Sequence, residues 1–352
     1  MKSFPVVTAQ RTCRAFTIAE LLVSVAVLAL ILLTVSQLMN SATAITRAGN
    51  KHIDTDTQAR TVLDRMALDL AQMLKRTDID YYVKGPTNYT GHGHGHAYGH
   101  RVQTGQQGSD QIAVFSQVPG YYPSSGAQSP ISLVAYRVNS SPSLPSYLKL
   151  ERMGKGLLWN GVSNSTNLNN PNTTYPIVFL PQTISGIANA GKMWSDAVNN
   201  PSNATSEDSS YETVGPGVFR FEYYYLLKNG SLTDVPWDTA ARPTQTSLTN
   251  PVNIGLTDVE AIGVAIAVID PSGRALISPS SLFDLASDMA DFKTAPGRGV
   301  GGQKKVGDLE ANWEGVVESV ASTGKTSSGS LVPSAAASAI RIYSRYFDLK
   351  TF

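Results

Sequence analysis

Only one of the 352 residues is a cysteine, Cys13. A single thiol excludes an intramolecular disulfide and any cysteine-based zinc site, so the fold has to rest on a packed core. Charge is also scarce. Asp, Glu, Lys and Arg make up 16% of the chain, and the formal net charge is +1 at pH 7, which leaves no strong field of either sign to favour nucleic acid or an acidic substrate. Two common hydrolase signatures, G-x-S-x-G and H-E-x-x-H, are missing. Two stretches approach the phosphate-loop pattern G-x-x-x-x-G-K-[ST], and each fails one requirement. "GIANAGKM" (Gly186–Met193) places Met193 where a hydroxyl must hold magnesium, and "SVASTGKT" (Ser319–Thr326) begins with Ser319 in place of glycine. Both read as chance. In place of charge, the chain is rich in Asn, Ser, Thr, Gly and Pro, the residues of polar turns between strands. That composition suits a β-rich exported domain better than a cytosolic helical enzyme. The length allows one large domain or two small ones beyond a leader and an anchor.

The N-terminus is organised differently. Residues 1–15 carry Lys2, Arg11 and Arg14 and no acid, and the apolar run Phe16–Met39 follows. That run is close to the roughly 20 helical residues that span a bilayer. The basic flank should stay in the cytoplasm while the bulk of the chain crosses. A secretory signal has its small-residue cleavage site after the apolar region, but here the small residue, Ala15, comes before it. Glu20 lies just inside the run. Thr17 and Glu20 have the T-x-x-E spacing of a capping box, a purely local role. A carboxylate entering a membrane is nevertheless costly and usually has a functional partner. A cut after Ala15 would make Phe16 the new N-terminus and put its ammonium about one helical turn from Glu20. In an assembly, Glu20 of one subunit could then neutralise the Phe16 amine of a neighbour.

"AFTIAELLVSVAVLALILL" resembles the class III signal of type IV pilins and type II secretion pseudopilins. Their pattern is a basic leader, Gly, Phe-Thr-Leu-Ile-Glu and then an apolar helix. Phe16, Thr17 and Glu20 match it, while Ala15 stands at the Gly position and Ala19 at the Ile position. The resemblance implies cleavage by prepilin peptidase between Ala15 and Phe16, N-methylation of Phe16, and an assembly role for Glu20.

Beyond Met39 the sequence turns polar without proline, and Gly49 is the natural place for a bend or fray. Ala59, Leu63, Met66, Leu70, Met73 and Leu74 then form an apolar stripe at three- and four-residue steps, one face of an amphipathic helix. Arg60, Asp64, Arg65, Asp69 and Gln72 take the other faces. The helix should end by Thr77–Asp80 and pack its stripe on the chain's own globular part. "TQARTVLDRMALDLAQML" is similar to the corresponding segment of the minor pseudopilin J of type II secretion, in the rhythm from Arg60 or Thr61 through Met66, Asp69 and Leu70.

From about residue 80 the period changes. Strands are expected at Gln111–Gln117, Ile131–Val138, Tyr147–Arg152, Ile177–Leu180, Val218–Lys228, Val259–Asp270 and Ile340–Leu349. Asn229-Gly230 marks a hairpin, and "FRFEYYYL" reads as a half-buried strand. "SSLFDLASDMADF" and "GDLEANWEGVVESVA" read as short helices flanking a Gly-rich basic linker, "KTAPGRGVGGQKK". The order of "VAYRV", "LKLER", "VFRFEYYYLLKNGSLTDVPWDT" and "LTDVEAIGVAIAVID" also resembles minor pseudopilin J proteins, whose usual extent ends near residue 275. The ending "SAIRIYSRYFDLKTF" is similar to pseudopilin-like proteins of the Verru-Chthon cassette.

Four of the five histidines, His92, His94, His96 and His100, sit in "GHGHGHAYGHR". Imidazoles so close can bind Zn, Ni or Cu, but the glycine spacers and the lack of a carboxylate within the run favour a low-complexity surface loop. Asp284, Asp288 and Asp291 fall on one helical face rather than in an EF-hand loop and read as solvated. No cofactor is expected, although the resemblance leaves calcium open.

The combined expectation is an α+β, pilin-like lollipop. Residues 1–15 form a cleaved leader, 16–39 a transmembrane and assembly helix, 40–78 an amphipathic helix, and 79–352 an antiparallel β-rich head with short inserted helices, extended after 275. The resemblance implies a structural, non-catalytic subunit of a type II secretion pseudopilus or related filament. The large head suggests a minor or tip-proximal place in it. The implied partners are other pilin or pseudopilin subunits, prepilin peptidase, the inner-membrane assembly platform and the lipid bilayer, without nucleic acid. The implied location is the bacterial inner membrane, single-pass, with the N-terminus cytoplasmic and the head periplasmic, followed by a filament. Two alternatives stay open: a minor type IV pilin whose head binds a surface, sugar or DNA, and a membrane-anchored exported enzyme.

Overall fold

The computed structural model describes residues 17–74, 109–121, 128–156, 211–233, 256, 258–292 and 305–349. The leader with Ala15, Phe16, the histidine run, the Ile177–Leu180 strand, the Gly186–Met193 stretch and most of the glycine-rich linker lie outside them. The chain divides into two compact units, one ending at Lys51 and one beginning at His52.

Helix α1 covers Ile18–Ala71. Gly49, where a bend or fray was expected, is helical. The helix stops at Ala71, short of the expected Thr77–Asp80, because a strand takes over the next residues. Met73 bridges to Ser116, the Leu74 amide donates to the Phe115 carbonyl at 2.8 Å, and the Gln72 carbonyl accepts from the Gln117 amide at 2.9 Å. Those bonds satisfy backbone groups that a further helical turn would otherwise have paired.

The second unit holds two sheets. The first contains β1 (Gln111–Ser116), β2 (Gly120–Tyr121), β3 (Gln128–Ser129), β4 (Ser132–Val138), β5 (Leu150–Gly156) and β6 (Tyr211–Gly215). Its order is β1-β4-β5-β2-β3, with β6 also on β5. The second contains β7 (Val218–Leu227), β8 (Leu232–Thr233), β9 (Val259–Ile269) and β10 (Ile340–Asp348), in the order β10-β9-β7-β8. The pairings are antiparallel except β2 with β5, which run parallel through Tyr121 and Lys155. Asn229-Gly230 makes the β7–β8 hairpin, with Gly230 at φ 81°, a conformation that favours glycine.

Strand β5 begins at Leu150, three residues after the expected Tyr147, because Leu148 turns to φ 53°. A left-handed leucine costs about 1–2 kcal/mol. Its neighbours hold it there. Its amide donates to the Asn139 carbonyl at 2.7 Å, and the Arg274 guanidinium takes the carbonyls of Leu148 and Tyr147 at 3.1 and 2.9 Å. Arg274 closes α2 (Pro271–Arg274), which Asp270 caps through the Gly273 amide. The two expected helices are α3 (Pro279–Asp288), capped by Ser278, and α4 (Asp308–Thr323), followed by the short α5 (Ser334–Ala337).

Along the expected stripe, Ala59, Leu63, Met66 and Leu70 of α1 are buried together with Val62; past the helix end, Met73 is buried and Leu74 partly so. Strand β7, expected to be half-buried, is buried on both faces. Phe221, Tyr223 and Tyr225 make a ladder of ring contacts on one face. Arg220, Glu222 and Tyr224 alternate with them, and Tyr224 stacks on Phe292 with ring centroids 4.5 Å apart.

Ser109 and Asp110 stitch the approach to β1 onto β7. The Asp110 amide donates to the Phe221 carbonyl at 2.8 Å. Its carboxylate accepts from the Tyr223 amide at 3.0 Å, and the Ser109 hydroxyl accepts from the Phe221 amide at 3.4 Å. These bonds satisfy β7 backbone groups at the seam between the two sheets.

Candidate functional site

The first candidate is the start of α1. Thr17 and Glu20 form the reciprocal box that their spacing suggests. The Thr17 amide and hydroxyl both donate to Glu20 Oε2 at 2.9 Å, and the Glu20 amide donates to Thr17 Oγ1 at 3.3 Å. The box satisfies amides that a helix start leaves open. A carboxylate there also faces the positive end of the helix dipole. The local capping reading of Glu20 therefore holds, and it leaves an additional role open.

Behind it, Ile18–Thr43 is a 26-residue helical stretch long and apolar enough to cross a membrane. At 1.5 Å per residue it is roughly 39 Å long, against a hydrocarbon core of about 30 Å. Leu22, Leu28, Leu30, Leu33 and Leu38 are all exposed. Water is a poor solvent for such a surface, so it calls for lipid or other apolar helices. Three hydroxyls within the stretch are internally satisfied: Ser24 donates to the Leu21 carbonyl, Thr34 to Ile31 and Thr43 to Met39, at 2.7–2.9 Å. Those bonds lower the cost of placing the hydroxyls in hydrocarbon.

A second site, within the His52–Phe352 unit, is centred on Asp69. The expectation put Asp69 on a polar face of the helix, but it is fully buried. Arg152 donates to it twice, from Nε at 2.7 Å and Nη2 at 3.0 Å, a strong bidentate arrangement. The Tyr136 hydroxyl donates to the same carboxylate, and Arg65, one turn earlier on α1, approaches to 3.7 Å. Tyr136 and Arg152 are directly paired across β4 and β5, so one helical carboxylate clasps two adjacent strands. Burial, then the nearby carboxylate, pushes the Tyr136 hydroxyl far up. Burial works against the charged Arg152, but the bonds and charge of Asp69 outweigh it and raise its value. The only hint of this clasp in the sequence is an acid flanking the apolar stripe, between Met66 and Leu70.

A third cluster surrounds Arg220, which is fully buried. Its Nη2 lies 2.6 Å from Asp291, 3.3 Å from Glu222 and 3.1 Å from the Met289 carbonyl. The guanidinium carbon sits 5.3 Å from the Trp313 ring centroid, and Trp313 donates to the Ala290 carbonyl at 2.8 Å. Glu222 accepts from the Phe292 amide at 2.9 Å. Asp291 is thus an ion-pair partner rather than a solvated acid. Asp284 and Asp288 are engaged as well: Asp284 accepts from the hydroxyls of Ser328 and Ser330, and Asp288 from the amide and hydroxyl of Ser327. Their helical face is a docking face for the turn after α4, which corrects the solvated reading.

Among the described residues, no group of three or more His, Cys, Asp or Glu is placed to hold a metal ion. The Ser319–Thr326 stretch ends a helix, with Gly324 in the left-handed cap, so it presents the carbonyl end to its surroundings. A phosphate cradle needs the amide end. His92, His94, His96, His100, Ala15 and Phe16 lie outside the described residues. Comparison with protein families, characterised proteins and solved structures finds no match to this chain.

Proposed function

We propose that the chain is a structural subunit of a pilin-like filament, a minor or tip-proximal pseudopilin of a type II secretion pseudopilus or a related type IV filament. The observation that carries this reading is a 26-residue apolar helical stretch with a carboxylate in its first turn and its large side chains exposed. The Phe-Thr-x-x-Glu signal at Phe16–Glu20 and the basic leader before it support the same reading. Asp69, Tyr136 and Arg152 add to it, because they come from three of the five segments that resemble minor pseudopilin J and meet in one cluster. Prepilin peptidase would cut after Ala15, and the helix would wait in the inner membrane with the head outside it. Glu20 would then offset the Phe16 ammonium of a neighbouring subunit during assembly.

N-terminal sequencing of the mature protein, from a host with prepilin peptidase, tests the reading. N-methyl-Phe at residue 16 is the expected result. An intact Met1, or a cut after residue 39, overturns it. Glu20→Gln separates charge from capping, since glutamine also serves in a capping box. Cleavage should persist in Glu20→Gln while assembly falls, and normal assembly would remove the charge-neutralisation role.

A further inference from the structure

Asp110 lies at the seam between the two sheets, just before β1 and against β7, the strand that carries Arg220 and Glu222, and it is almost wholly buried. It holds β7 twice, through its amide to Phe221 and its carboxylate to Tyr223. The charges acting on it come from two elements packed against it. Glu222 and Arg220 project from β7, and Asp291 from the segment after α3; the two acids oppose its ionisation, while the Tyr223 amide and Arg220 favour it without outweighing burial and Glu222. Arg220 already ion-pairs with both of those acids, so its field at Asp110 is largely offset. We propose that Asp110 is a pH-responsive latch between the two sheets, closed while its carboxyl is neutral and loosened when it ionises against Glu222 and Asp291.

The geometry accounts for the direction. A neutral carboxyl still accepts from the Tyr223 amide and is inexpensive to bury. An ionised one adds a further negative charge beside two carboxylates that share one guanidinium, with Arg220 and Glu222 fully buried and Asp291 partly exposed. Burial first, and then Glu222, lift the Asp110 carboxyl well above the ordinary range. A carboxyl raised in the folded state stabilises fully below its unfolded value, near 3.9. That stability is lost as pH climbs from there through the folded value. This is opposite to the usual behaviour of a paired aspartate. The inference rests on the head alone and does not depend on the proposed function.

The test is amide hydrogen exchange on the full chain in detergent, read as the protection factors of Phe221 and Tyr223 after correction for intrinsic rates. In the wild type, protection should fall by up to about tenfold per pH unit above pH 4, the change expected for one proton linked to opening. In Asp110→Asn, which keeps an acceptor oxygen and cannot ionise, protection should stay level over the same range. Glu222→Gln removes one opposing charge and should make the wild-type decline end at lower pH. If Asp110→Asn does not fold, the wild-type and Glu222→Gln profiles still decide the matter. Wild-type protection that is level with pH, a decline shared equally by Asp110→Asn, or a Glu222→Gln profile identical to wild type would each overturn the latch.

Discussion

At Asp69 one side chain carries three polar contacts with no solvent to share the load. Replacing it with alanine would leave the Arg152 guanidinium buried without its bidentate acceptor. Breaking a buried pair from one side costs about 3–5 kcal/mol, so Asp69→Ala should lower the urea midpoint sharply with little change in slope. Tyr136→Phe removes one hydrogen bond to a buried carboxylate and should cost about 1.5–3 kcal/mol. Because both substitutions act on the same carboxylate, their effects should fall short of adding in a double-mutant cycle; strict additivity would mean that the clasp is not one unit. Gly217 is constrained by space. A Cβ there would meet the Ile269 carbonyl at 2.5 Å and the Gln58 side chain at 2.6 Å. The Gly217 amide also donates to that Gln58 side chain at 2.9 Å. Gly217→Ala should therefore destabilise by about 1–3 kcal/mol, the usual cost of overpacking, seen as a lower thermal midpoint. The pair of Arg345 with Asp64 is largely exposed and should matter far less.

Among the elements, the apolar stripe of α1 makes the clearest prediction. Leu63 and Met66 are buried against the sheets. Leu63→Ala should cost about 2–5 kcal/mol, whereas the same change at exposed Leu68 should stay within about 0.5 kcal/mol; chemical denaturation of the two variants compares them directly. This stripe was legible in the sequence because a period near 3.6 survives in the side chains themselves. The strands beginning at Gln111, Val218, Val259 and Ile340 were legible for a similar reason, as dense β-branched and aromatic runs bounded by turn residues. Asp69 was not, since an acid beside a stripe carries no mark of the arginine that will meet it from a strand 83 positions away. The same holds for Arg220 and Glu222, whose alternation with tyrosines imitates a strand with one wet face. What buries them is α4 and the segment after α3, and no local pattern announces those contacts. The late start of β5 was hidden as well, because leucine gives no sign of the left-handed turn that Arg274 holds in place. At the N-terminus the box of Thr17 and Glu20 was readable in full, since both halves lie within one turn.

The molecule as a whole divides its solubility unequally. Large exposed apolar side chains crowd Ile18–Met39 and are scattered singly elsewhere among the described residues. A chain lacking residues 1–51 should therefore stay folded and soluble without detergent, while the full chain should partition into a detergent phase; aggregation of the shortened chain would argue against the division at Lys51. The contacts of β10 have a further consequence, which concerns time. This strand pairs with β9 along nine consecutive positions, and its Tyr343 hydroxyl reaches Thr55 and Asp56 on α1. Those partners are separated by nearly the whole length of the described chain, and contacts so distant in sequence form slowly. Ribosomes deliver α1 well before β10. A nascent chain halted before Ile340 has already made the helical stripe but lacks the strand that completes the second sheet beside it. Until Ile340–Asp348 emerges, the outer edge of β9 stays open and ready to pair with a stranger. The order of synthesis thus opens an interval between β9 and β10 in which an unpaired strand edge is exposed, and a holding chaperone would have the most to protect there.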